Sequence, residues 1–407
     1  MRRMIRNLAV LFPHGVIRWL LRDEFSDTLA AGAVNGTPAT PGPGTRVVVD
    51  TGNKVSISGG EYVFAGTSVT PWADPRIYYD AVVRVAGRLM VTRFIVPTAV
   101  GDGAILGFRS ATAGGAANMQ AGLYLTGTLW SWWGATGAQV GLFSADTYYV
   151  IVTVLRATGA YHFIRGGAFT DWTLLWISSI GNTATLYPAF DHSNKAMRAD
   201  RRRIPVETWL PTPAAFDSFS RADGALGSSE IWGPDNQIVT ARVWNNRVGT
   251  TLVATGVAQA SALVGGIAIA TVNTGTVNAI TSATLTRAGN EVGVVLRYVD
   301  ADNYIRAIHD GTNCKLVKRV AAAETDVISA VAALGAGAIR VIPDGTTFML
   351  YLNNAQVGAT STINDAALQT GTEQGLYSTN LGNTQDLLSI FARGSNGEYA
   401  ALNRWSF

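Results

Sequence analysis

The residues Asp23-Glu24-Phe25-Ser26 return as Asp217-Ser218-Phe219-Ser220, an offset of 194 positions. Two further landmarks keep the same order at nearly the same interval: Gly107-Phe108-Arg109 against Val295-Leu296-Arg297, and Thr185-Leu186-Tyr187 against Gly375-Leu376-Tyr377. Ordered recurrence at a near-constant spacing is the mark of one structural unit written twice, here of about 190 residues. The run Pro205, Trp209, Pro211, Pro213 favours an extended connection and cannot continue a helix. The expected organisation is an N-terminal arm over 1–22, a first domain over 23–205, a Pro-rich linker over 206–215 and a second domain over 216–407 with a C-terminal extension.

Inside each copy the period is that of strands. Arg46 to Asp50, Lys54 to Ser58, Tyr78 to Val85, Ile105 to Arg109 and Tyr148 to Leu155 are short runs of Val, Ile, Tyr and Thr, and so in the second copy are Ala283 to Thr286, Val292 to Tyr298, Tyr304 to Ile308 and Phe348 to Leu352. Turn formers part them, among them Asp50-Thr51-Gly52-Asn53, Asp300-Ala301-Asp302-Asn303 and Pro343-Asp344-Gly345. Many strands at intervals of about 8 to 12 residues, with almost no 3.6-residue periodicity, predict an all-β chain of two tandem antiparallel β-sandwiches.

Composition narrows the function. Only 14% of the 407 residues are charged and 48% are hydrophobic, so disorder by charge repulsion is out and sizeable cores can be filled. No apolar run approaches the 18 or more residues of a membrane span. The single cysteine, Cys314, and four scattered histidines exclude a disulfide scaffold and a zinc finger. The net charge of +3 is local: residues 1–22 hold five arginines and no acid, which leaves 26 basic against 28 acidic residues in the body. A body of net charge −2 is not a polyanion binder, so nucleic acid is not an expected partner.

The stretch Asp217-Ser-Phe-Ser-Arg-Ala-Asp-Gly-Ala-Leu-Gly227, with Trp232 and Gly293-Val-Val-Leu-Arg-Tyr-Val-Asp-Ala-Asp-Asn-Tyr304, resembles the concanavalin A-like, or laminin G-like, jelly-roll modules of bacteriophage virion proteins and bacterial extracellular proteins. Gly52-Asn-Lys-Val-Ser-Ile-Ser-Gly-Gly60 looks like the Ser-Ile-x-Gly-Gly stretch of the same modules. The resemblance implies a two-sheet module serving adhesion, sugar binding or structural packing. On it rests the expectation of a non-enzymatic structural component of a phage virion, at the tail, neck or capsid surface. Such a component forms a homo-oligomer, with other virion proteins as partners and a cell-surface glycan as a further one. The alternative is a secreted, extracellular carbohydrate-binding protein with weak glycoside hydrolase activity.

Candidate site residues are few. Glucanases of this architecture carry E-x-D-x-E or E-x-D-x-x-E on one strand, because acid and nucleophile must flank the glycosidic bond; no such run occurs, nor a Gly-x-Ser-x-Gly elbow, so no catalytic residue is expected. Trp130, Trp132 and Trp133, with Trp72, are candidates for a glycan platform or an interface; core filling competes for the indoles, and at least one of Trp132 and Trp133 is expected buried. Arg2, Arg3, Arg6, Arg18, Trp19 and Arg22 form the candidate docking arm. Arg198, Arg201, Arg202 and Arg203 are read as a solvated sheet edge or a contact with an acidic partner. Asp300, Asp302 and Asn303 place hard oxygen ligands close together as a calcium candidate, with a plain turn as the competing reading; no other cofactor is expected.

Overall fold

The computed structural model describes residues 17–66, 70–95, 103–125, 128–133, 136–142, 144–157, 159–178, 184–193, 196–332, 336–353, 355–393 and 402, with backbone alone over 123–143. Every strand among them lies in antiparallel sheets, and the four main sheets form two pairs. In the first copy one sheet runs, in spatial order, Phe169–Ser178, Ala160–Gly166, Tyr148–Leu155, Leu89–Ile95, Met197–Pro205, Glu61–Phe64, Val55–Ser58, with Trp19–Asp23 also on Met197–Pro205. Its counterpart runs Ala355–Thr362, Thr347–Leu352, Ala336–Asp344, Ala279–Thr286, Thr384–Ala392, Val257–Ala262, Thr250–Ala254, with Ala215–Asp217 also on Thr384–Ala392.

The opposing sheets match strand for strand as well. Thr136–Leu142, Thr128–Trp133, Met119–Leu125, Ala104–Arg109, Thr185–His192, Arg76–Tyr78, Val47–Val49 is answered by Ala323–Val331, Asn313–Val320, Asn303–His309, Val292–Asp300, Glu373–Ser378, Ala268–Asn273, Asn245–Val248. The protein is thus a tandem of antiparallel β-sandwiches with one topology. The expected strand Tyr78 to Val85 is instead two short pieces, Arg76–Tyr78 and Val82–Val83, because Asp80 and Ala81 interrupt the pairing with Thr185–His192.

The recurring Asp-x-Phe-Ser segment has the same local structure twice. Phe25 and Phe219 sit at φ of 50° and 54°, a left-handed conformation that costs an L-residue about 1 to 2 kcal/mol. The preceding aspartates offset this by accepting the phenylalanine N–H, Asp23 Oδ1 at 3.0 Å and Asp217 Oδ1 at 2.9 Å. The strained turn drives each ring into its core, and both phenylalanines are fully buried.

The two halves share one apolar cluster. Ile280, Ile342, Met349, Tyr351 and Phe391 of the second copy pack with Tyr161, Phe163, Trp172 and Trp176 of the first. Above the seam Asp235 accepts Arg156 Nε through both carboxylate oxygens, at 3.1 and 3.0 Å, and also takes the Tyr161 hydroxyl.

The arginine run requires a correction. Met197–Pro205 is no charged edge: it lies between Leu89–Ile95 on one side and Glu61–Phe64 and Trp19–Asp23 on the other. Arg202 is fully buried, its guanidinium 3.8 Å above the Phe190 ring and donating to Ala189 O at 2.8 Å. Arg203 lies under Trp19 and pairs with Glu24, and Arg198 pairs with Glu61 at 3.0 Å. Arg201 is half-buried on the same strand. Arg202 and Arg203 are thus used inside the chain, while Arg198 keeps 38% of its side chain exposed. Trp19 and Arg22 likewise belong to a paired strand, in register with Pro205 and Arg203, whereas Arg18 is exposed beside it. Arg2, Arg3 and Arg6 lie outside the described residues.

Candidate functional site

A cleft of about 1100 Å³ opens over the outer face of the second copy's seven-stranded sheet. Strand alternation decides what reaches it. On Asn303–His309 the residues Ile305 and Ala307 enter the core, which leaves Tyr304, Arg306 and Ile308 on the opposite face. Val295, Val317, Ile269 and Tyr377 join them from neighbouring strands in an apolar layer outside the main core. The sheet is drawn tight here: a Cβ on Gly293 would stand 1.9 Å from Ala307 O, and one on Gly375 1.9 Å from Ala270 O. Only glycine permits that approach.

Polar side chains stand on this layer as one network. Arg306, 4% exposed, forks onto Glu324 (Nη1–Oε1 2.6 Å, Nη2–Oε2 2.9 Å) and its Nη2 also faces Glu291 Oε2 at 3.5 Å. Arg319 donates to Glu324 Oε1 at 3.0 Å and to Ala301 O at 3.0 Å, and reaches Asp302 at 3.4 Å. The Tyr377 hydroxyl donates to Glu291 Oε2 at 3.2 Å, under the Arg306 guanidinium 4.9 Å from its ring. The Arg306 hydrogen bonds, with Arg319 behind them, hold the Glu324 carboxyl down at about 2, while burial pushes the Tyr377 hydroxyl up.

Backbone clamps fix the rim. Glu291 N donates to Thr379 Oγ1 at 2.8 Å and Thr379 N returns a bond to Glu291 O at 3.0 Å. Asp310 accepts the N–H groups of Thr312 and Asn313, and with Lys315 3.0 Å away its carboxyl is held well below the usual range. Such a surface offers fixed donors and acceptors side by side over an apolar floor, as small-molecule sites do.

The residues singled out from sequence fall elsewhere. Trp130, Trp132 and Trp133 lie on strand Thr128–Trp133 of the first copy, and their side chains, including the expected burial of Trp132 or Trp133, lie outside the described residues. Trp72 sits half-buried in a turn at φ 64°, its N–H donating to His192 O at 2.8 Å. Asp300, Asp302 and Asn303 form a turn: Asp300 Oδ1 accepts Asp302 N at 2.8 Å and Asn303 Nδ2 at 2.9 Å. Among the described residues no three His, Cys, Asp or Glu side chains converge as a metal site.

Glu291, Arg306, Arg319 and Glu324 were not singled out by sequence, although an arginine amid Tyr304-Ile305 and Ala307-Ile308 is a visible irregularity. Glu324 reaches Arg319 through a two-residue hairpin whose centre, Ala321 and Ala322, has φ of 48° and 66°. Such turns are normally written Asn-Gly, so Ala-Ala conceals the pairing.

No protein-family model matches this chain, and no curated protein does. Solved structures similar to it include the carbohydrate-binding module CBM66 from Bacillus subtilis, at 17% identity over 37% of this chain and 95% of that one, TM-score 0.28. A β-1,3-glucanase from Mycobacterium marinum shows 10% identity over 47% and 100%, TM-score 0.32. A LamA variant from Z. galactanivorans, in complex with laminaritriose and laminaritetraose, shows 12% over 47% and 100%, TM-score 0.32. These neighbours are jelly-roll β-sandwiches, the fold class that the strand pairing of this chain shows. The expectation of a non-enzyme does not stand beside them, for a glucanase is among them, but a likeness of this size assigns no activity to this chain. The virion setting and the homo-oligomer draw no support from them.

Proposed function

We propose that this protein binds carbohydrate, with the cleft of the second sandwich as the binding site. The observation that carries the reading is the cleft itself. It sets the Arg306, Arg319, Glu291 and Glu324 network beside Tyr377 on an apolar sheet face. A sugar hydroxyl donates and accepts at once, and paired guanidinium and carboxylate groups meet both needs without a change of protonation. The laminari-oligosaccharides held by the LamA variant supply the first probes.

Titration calorimetry of the full chain with laminaritetraose and with a panel of neutral oligosaccharides tests the proposal. At least one glycan binds, and Arg319→Ala weakens it by about tenfold or more, the loss of one charged hydrogen bond. Reducing-end release in the same mixtures reads whether the bound chain is cut. Absence of binding across the panel, or binding untouched by Arg319→Ala, sinks the reading.

A further inference from the structure

One histidine ties a wall of the cleft to the edge of its sheet. Asp310, Thr312 and Asn313 line the cleft, in the turn that joins Asn303–His309 to Asn313–Val320. His309 ends the first of these strands, is fully buried and has both ring nitrogens engaged. Gly311 N donates to its Nδ1 at 3.0 Å, and its Nε2 donates to Ala332 O at 2.5 Å. Ala332 N in turn donates to Thr312 O at 3.0 Å. Three bonds thus clasp the turn to the residue that follows the edge strand Ala323–Val331, whose other end carries Glu324.

The clasp fixes the protonation of the ring. A nitrogen that accepts an N–H carries no proton, and a carbonyl oxygen cannot donate, so His309 is the neutral tautomer with its hydrogen on Nε2. A second proton has only Nδ1 to go to, where it would meet the Gly311 N–H head-on and leave that donor without an acceptor. Among the described residues no free anion stands ready to compensate such a cation. Cys314, in register with His309, is buried, and burial pushes its thiol up to about 12, so it brings no charge. Arg287 brings a like charge, for a Cβ on Gly311 would stand 2.5 Å from its Nη2. The Asp310 carboxylate is held by Thr312 N, Asn313 N and Lys315, and Lys315 is shared with Asp326. Glu291, next to the register partner Val292, is turned to Tyr377 and Arg306.

We infer that His309 is a proton-controlled latch on the cleft, which holds the 310–313 wall while the ring is neutral and releases it when the ring is protonated. An imidazole is the side chain that ordinarily changes charge between about pH 5 and 8. Only the neutral ring fits the clasp, so acid favours the released form. The latch follows from the hydrogen bonds; its consequence, weaker ligand binding in acid, rests on the glycan-binding reading.

Hydrogen exchange of the full chain, read by mass spectrometry at about pH 8 and about pH 5 and corrected for the intrinsic rate, tests the latch without a ligand. Relative to strand Thr347–Leu352, peptides covering 310–314 and 330–332 are expected to exchange about tenfold faster at the lower pH, the loss of one hydrogen bond to a charged partner. Two variants separate the ring atoms. His309→Asn keeps an acceptor at the Nδ1 position that no proton removes, and holds the wall at both pH values. His309→Gln reaches only the Nε2 position and leaves the wall loose at both. The affinity of a glycan that binds the wild type falls about tenfold between the two pH values and stays level in His309→Asn. Equal exchange of the wild type at the two pH values, or a pH dependence that survives in both variants, overturns the inference. Faster exchange in acid with no glycan bound at either pH supports the latch and overturns the carbohydrate reading.

Discussion

Replacing Asp23 by alanine should damage the first sandwich more than replacing Asp217 damages the second, although both open the same turn. Asp23 is fully buried and accepts five donors: Arg46 Nε and Nη2 at 2.6 Å each, Phe25 N, Thr40 N and the Tyr79 hydroxyl. Its main partner, Arg46, is equally buried. Asp27 still holds the guanidinium through Nη1 at 2.7 Å and Nη2 at 3.0 Å, but Arg46 Nε and the Phe25, Thr40 and Tyr79 donors lose their buried acceptor, which places the cost near the lower end for a broken buried pair, about 3 kcal/mol. Asp217 accepts Phe219 N, Trp244 Nε1 and Arg221, but the Arg221 side chain is 28% exposed. Its guanidinium can turn to water, so the loss is nearer the charged hydrogen bonds alone, about 1.5 to 3 kcal/mol. Denaturant unfolding separates the two effects, because eight of the eleven tryptophans precede residue 210 and fluorescence weights the first sandwich while circular dichroism reads both. Asp23→Ala should lower the fluorescence midpoint strongly, with a melting temperature down on the order of 10 °C. An equal or larger cost for Asp217→Ala, or a cost under about 1 kcal/mol for Asp23→Ala, would refute the argument from partner burial.

Asp235→Ala removes the acceptor of Arg156 and Tyr161 at the seam and should split the calorimetric transition in two as the halves uncouple; a single unshifted transition counts against the seam. Gly293→Ala forces a Cβ to 1.9 Å from Ala307 O and should cost about 1 to 3 kcal/mol or more in chemical denaturation, with glycan binding lost alongside. Ala322→Gly relieves a left-handed alanine and should stabilise the second sandwich by about 1 kcal/mol in the same assay, a sign that a loss of stability would contradict. Glu324 has a folded carboxyl at about 2 against an ordinary 4.5, so its contribution is whole above pH 4.5 and lost as pH falls towards 2. Melting curves of the wild type and Glu324→Gln should therefore converge across that window. Water screening of this partly exposed group keeps the effect modest.

What the sequence made legible was whatever is local. Strands such as Tyr148–Leu155 and Thr347–Leu352 are written in β-branched and aromatic residues, and their bounds fall within a residue of the expected runs. The Asp-x-Phe-Ser repeat marked corresponding strands because its aspartate acts on its own backbone two residues on. The site was hidden because its contacts join residues far apart in the chain, as in Tyr377 with Glu291. The arginines near residue 200 misled for a related reason. Four cations on one strand read as an exposed edge, but Glu61 and Glu24, from distant segments, and the Phe190 ring engage three of them.

The two copies also use the arginine of one matching strand in different ways. Arg109 ends strand Ala104–Arg109 at a register shift, fully buried, with Asp191 at 2.5 Å and the carbonyls of Ala111, Ala113 and Gly114 folded onto its guanidinium. That single side chain ties the 110–114 loop down over its own sheet. Arg297 stands at the corresponding irregularity of Val292–Asp300, but at φ 48° it turns towards the core, over the Phe348 ring at 4.8 Å, and spends its donors on Val277 O, Asn278 Oδ1, Gly345 O and Gln369 Oε1. None of these Arg297 bonds goes to the turn that follows its own strand, where Arg319 holds Ala301 O instead. Arg306 and Tyr377 line the cleft, with Tyr304 in the apolar layer beneath. One topology thus puts the arginine of a matching strand to opposite uses, tying a loop down in the first sandwich and packing over the core in the second.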